Sequence, residues 1–76
     1  MSTNTTEDLY RSGVAANIIS LRHTLAKAMV DATTACKDLE DGHLRAAVGS
    51  VVHIGQALDD ARALLDSIFI LNRNLS

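Results

Sequence analysis

Seventy-six residues make one domain at most, and a chain this short buries only about 60% of the surface its unfolded form exposes, so its stability is marginal without a staple or a partner. The single cysteine, Cys36, excludes an intramolecular disulfide, no Cys/His spacing supplies a structural zinc, and a net charge of -2 with scattered cations argues against a polyanion as the main partner. Hydrophobic residues are 47% of the chain but aromatics only 3%, so the core is built of Ala, Val, Ile and Leu, the composition of a helix bundle.

Residues 1–6 are polar and without periodicity, and they read as a disordered tail in front of a single domain over 7–76. Thr6 suits the N-cap of the first helix, and Glu7 and Asp8 place negative charge against the positive end of its dipole. The polar start lacks the charged-then-apolar pattern of a secretory signal, and the longest apolar stretch, 68–71, is far short of the roughly 20 residues that span a bilayer. A cytoplasmic protein that does not engage a membrane is expected.

The first helix is predicted over about 7–39. Its apolar residues Val14, Ile18, Leu21, Leu25, Ala28, Ala32, Ala35 and Leu39 step by alternating fours and threes, the spacing of a helical seam. Gly13 and the Thr33-Thr34 pair weaken this helix locally, but the chain has no proline to break it. Asp38, Glu40, Asp41 and Gly42 mark a turn, with the junction at Asp41 or Gly42. The acids there lack the alternating donors and closing Glu of a calcium loop.

The second helix is predicted over about 43–73, with a first row at Leu44, Val48, Val51, Gly55 and Leu58 and a parallel row at Ala47, Val51, Ile54, Leu58, Ala61, Leu65 and Ile68. So short a turn forces the helices antiparallel. Residues equidistant from Asp41 then face each other: Leu21 with Ala61, Leu25 with Leu58, Ala28 with Ile54, Ala35 with Ala47 or Val48, and Arg22 or His23 with Asp59 or Asp60. The predicted fold is an all-α antiparallel helical hairpin.

The apolar surface exceeds what one hairpin can bury. Ile19, Val30, Val52, Leu64 and Phe69, together with Met29, Ile70 and Leu71, fall outside the seam and are expected to pack against a second copy, giving a homodimeric four-helix bundle. Next to the seam, Ala46, Gly49, Ser50, His53 and Ala57 form a face of small residues on the second helix, and mid-helix glycine there suggests close packing or a partner's approach.

Chemistry is not indicated. His23 and His53 lie at different levels of the hairpin and neither has a ligand one turn away, His43 belongs to the exposed start of the second helix, and Cys36 reads as a small buried hydrophobe. Asp59, Asp60, Arg62 and Asp66 are a mixed-charge helix surface. No cofactor, metal or catalytic pair is expected, and the protein is not expected to be an enzyme.

The segment 39–48 (Leu-Glu-Asp-Gly-His-Leu-Arg-Ala-Ala-Val), followed by 53–58 (His-Ile-Gly-Gln-Ala-Leu) and 61–66 (Ala-Arg-Ala-Leu-Leu-Asp), resembles the C-terminal hairpin of small uncharacterised proteins common in pseudomonads. The likeness covers about residues 16–66 and implies a helical hairpin of bacterial or phage origin, with no function attached.

Three functions compete. The favoured one is a non-catalytic, self-associating interaction module, a small bacterial or phage regulator or inhibitor that binds another protein. A second resembles Rop-type hairpin dimers that grip RNA, for which Arg22, Lys27, Arg45 and Arg62 would have to cluster. A third, a small-ligand pocket between the helices, is disfavoured by the scarcity of aromatic side chains.

Overall fold

The computed structural model describes residues 5–75, which form two long helices, α1 over Thr5–Glu40 and α2 over Leu44–Leu75, packed against each other as an antiparallel hairpin. The molecule is a rod with principal extents of 61 × 17 × 12 Å. Residues 1–4 of the expected tail lie outside the described residues, whereas Thr5 and Thr6 are already helical. Thr6 is therefore not the N-cap but a residue of the first turn, which it shares with Glu7 and Asp8.

The turn follows from the backbone chemistry of Gly42. Its φ of 81° lies in the left-handed region, where a Cβ clashes with the neighbouring carbonyl and glycine does not. In that conformation the Gly42 amide donates to the Leu39 carbonyl at 3.1 Å and the His43 amide to the Asp38 carbonyl at 2.7 Å, which together form a Schellman cap that satisfies two end carbonyls of α1. The His43 carbonyl then accepts from the Ala47 amide at 3.1 Å, opening α2. One residue thus ends the first helix and begins the second.

Both helices carry a heptad, and burial assigns its phase. With Ala28 of α1 and Ala61 of α2 at position a, the a row is Val14, Leu21, Ala28, Ala35 and Ala47, Ile54, Ala61, Ile68. The d row is Tyr10, Asn17, Thr24, Asp31, Asp38 and Ser50, Ala57, Leu64, Leu71. Every one of these is buried or half-buried. Among the described residues the buried apolar ones are Ala28, Ala35, Ala47 and Ala61, and no large side chain is completely enclosed. Small side chains let the helix axes approach toward the close end of the usual 8–10 Å range.

The phase corrects the expected seam. Its a row is right, but the partner row is d, not the row of Ile18, Leu25 and Leu39 on α1 and of Val51, Leu58 and Leu65 on α2. Leu25 is 46% exposed and Leu58 53%. Leu64 and Leu71, expected as surplus surface, are half-buried in the seam. The expected helix-to-helix register is close to the one observed: the Asn17 side-chain amide donates to Ser67 Oγ at 2.9 Å, and Gly13 lies against Leu71.

Gly42→Ala places a Cβ in the left-handed region, which costs about 1–2 kcal/mol. For a domain of this size a loss of about 1 kcal/mol lowers the melting temperature by roughly 4–8 °C in a calorimetric scan. Asp41→Ala, next to it and without a positive φ, leaves the melting temperature within a degree or two of wild type.

Candidate functional site

The two flanks of the seam are chemically opposite. In an antiparallel pair the e rows of the two helices lie on one flank and the g rows on the other. The g flank is polar: His23, Lys27 and Asp31 from α1 and His53, Gln56 and Asp60 from α2 wall an open groove of about 450 Å³. His23 and Asp60 share one level and Asp31 and His53 another, so the groove carries a histidine facing an aspartate near each end. The expected pairing of His23 with Asp60 across the seam's edge is thus a shared groove wall, and the two histidines do lie at different levels. Among the described residues, no three His, Cys, Asp or Glu side chains come together as a metal-ligand set.

The e flank is apolar. Asn17 bonded to Ser67 sets the levels, so Ile18 lies level with Leu65, Leu25 with Leu58, Ala32 with Val51 and Leu39 with Leu44. Outside these, the b rows add Met29 and Cys36 on α1 and Val48, Gly55 and Phe69 on α2, with Arg22 and Arg62 at one level on the two edges. The large residues of this face are exposed by between 36% (Leu65) and 68% (Met29). Cys36 is exposed, not buried as expected, because its b position lies beyond the reach of the alanine seam.

The five residues expected to form the oligomer interface do not form one patch. Ile19 and Val52 project from the backs of the helices, Val30 lies toward the groove side, Leu64 belongs to the seam, and Phe69 alone is on the apolar face. The strongest surface therefore consists mainly of residues whose periodicity assigns them to the seam, joined by Met29 and Phe69. Their apolar periodicity was visible; which helix they serve was not.

Ala46, Gly49, Ser50, His53 and Ala57 do make one row along the groove side of α2, with Ser50 and Ala57 half-buried and the others exposed. Close approach does not occur at Gly49 or Gly55, where a Cβ would meet nothing within 4 Å. It occurs at Gly13, expected only to weaken α1, where a Cβ would sit 3.1 Å from Leu71 Cδ1. The glycine next to the far end of the partner helix gives this away once the register is known.

The four cations of the RNA-binding alternative do not cluster. Lys27 stands in the polar groove, Arg45 on the back of α2, and Arg22 and Arg62 on opposite edges of the apolar face. Arg62 is itself partnered by Asp66 at 3.5 Å, and Arg11 by Glu7 at 2.7 Å, each pair one turn apart on its own helix. No described helix is long and apolar enough to cross a membrane. Comparison of the chain with protein-family models, curated proteins and solved structures finds no match.

The open space at Gly49 gives a signed prediction. Gly49→Leu gains up to about 1 kcal/mol of helix propensity with nothing to clash against, and it melts higher than wild type. Gly13→Leu meets Leu71, and overpacking of about 1–3 kcal/mol outweighs the same gain, so it melts lower. Thermal scans of the two variants side by side check both signs.

Proposed function

We propose that this protein is a non-catalytic interaction module whose working form is a self-associated helical bundle, held together through the apolar e flank of the hairpin. The observation that carries the reading is the chemical split between the flanks: the e rows of both helices line one side with leucine, isoleucine and valine, while the opposite groove is walled mainly by histidine, lysine, glutamine and aspartate. Contiguous apolar surface beyond a few hundred Å² marks an interaction site on soluble proteins.

The exposed area supports the same reading. The hairpin exposes 5800 Å², whereas a compact monomer of 8.1 kDa exposes about 4500 Å² on the usual scaling. Covering that excess of about 1300 Å² on each of two chains removes about 2600 Å² in total, within the range of obligate homodimer interfaces. A second copy is the occupant that supplies a matching apolar face at equal concentration. The polar groove and the backs of the helices then remain on the outside, where a small bacterial or phage regulator would meet its target protein.

Leu25→Asp and Leu58→Asp place a carboxylate in the middle of the apolar face, where desolvating it costs several kcal/mol on association. Both variants sediment as monomers at concentrations where wild type is a dimer. Val52→Asp, on the back of α2, stays dimeric. Sedimentation equilibrium that shows wild type as a monomer at tens of micromolar, or Leu25→Asp and Val52→Asp alike, contradicts the reading.

A further inference from the structure

We infer that two copies dock through the apolar face with their turns at opposite ends, α1 on α1 and α2 on α2, about a two-fold axis that passes beside Gly55. This rests on the self-association proposed above and adds its geometry. Two dockings bring the faces together with two-fold symmetry. In one, the turns lie at the same end and each α1 covers the other copy's α2; in the other, the turns point apart.

Packing separates them. With the turns together, level meets like level: Leu25 and Leu58 of one copy meet Leu58 and Leu25 of the other, and Ala32 and Val51 meet Val51 and Ala32. One layer of two alanines and two valines would then lie between two layers of four leucines, and straight helices cannot fill both. With the turns apart and the axis beside Gly55, Leu25 falls opposite Ala32, Leu58 opposite Val51, Ile18 opposite Leu39 and Leu65 opposite Leu44. Large then meets small in the two central layers, which become equal in volume and lie between outer layers of large side chains.

The outer b rows agree with the same axis without adjustment. Met29 of one copy falls opposite Met29 of the other, and Gly55 opposite Gly55, where the absence of any atom within 4 Å of a would-be Cβ leaves α2 free to approach α2. Arg22 falls opposite Cys36, and Arg62 opposite Val48.

Charge points the same way. With the turns together, Arg22 of one copy stands beside Arg62 of the other on both edges, four guanidinium groups at one level along the rims of the interface. Asp66, 3.5 Å from Arg62, is itself well exposed and on the outer side, so it offsets this only in part. With the turns apart, the arginines separate into two pairs on either side of the axis. The like-charge contact therefore acts against the wrong docking.

The experiment uses spin labels in a Cys36→Ser background. A label on Asp41→Cys, in the exposed turn, reports the end-to-end geometry by pulsed dipolar spectroscopy. At about 1.5 Å per helical residue, turns at opposite ends lie roughly 35–40 Å apart, whereas turns together lie within about 20 Å. The long distance is expected. The short one overturns the docking and leaves the self-association standing, and a sample with no intermolecular distance that also sediments as a monomer overturns the self-association itself. Oxidation of Met29→Cys in the same background gives a second readout: a disulfide-linked dimer is expected, and its absence in a protein that sediments as a dimer counts against the axis.

Discussion

Alanine at the helix-to-helix contact constrains everything else in this molecule. Among the described residues Ala28, Ala35, Ala47 and Ala61 are the apolar ones buried between the two helices, and the d row beside them includes Asn17, Thr24, Asp31, Asp38 and Ser50. Such a seam gives close contact but little transfer free energy, since each buried methylene contributes about 0.8 kcal/mol and alanine supplies a single methyl. The hairpin is thus a weak unit locked in a definite register, by the Gly42 cap at one end and the Asn17–Ser67 bond and Gly13–Leu71 contact toward the other.

Many of the large aliphatic side chains stand outside this seam. Leu21, Ile54, Leu64, Ile68 and Leu71 are half-buried between the helices, whereas Leu25, Leu58 and Leu65 occupy the e row and face outward together. Polar groups collect on the other flank because His23, Lys27, His53 and Asp60 occupy the g and c rows. In the two-fold docking inferred above the rod would be one half of a bundle, with the charged side chains of the groove left on the outside.

Most of the architecture is legible in the sequence because it depends on local signals. Glycine after an acidic helix end, helical periodicity on both sides and the lack of proline specify two helices and their junction to within one or two residues. The register follows from the shortness of the turn. The seam was harder. A single helix shows its most apolar stripe, and in a chain that associates through two contacts the centre of that stripe lies between them, on the a and e rows together. Leu25 and Leu58 thus look like core by pattern, while Thr24 and Asp31, which do face the neighbouring helix, look like surface. Only the position of one helix against the other tells which half of the stripe is turned inward, and that is a tertiary fact. The exposure of Cys36 has the same cause.

The central claim is that folding of this chain is completed by association, and the concentration dependence of thermal unfolding tests it most directly. For a two-state dimer, raising the protein concentration a hundredfold adds about 2.7 kcal/mol per dimer, equivalent to a rise in melting temperature of about 8 °C for two 76-residue chains. Calorimetry or circular dichroism between roughly one and one hundred micromolar should show that rise. A melting temperature that stays constant across the range means that the alanine-seamed hairpin is stable alone, and it contradicts the account.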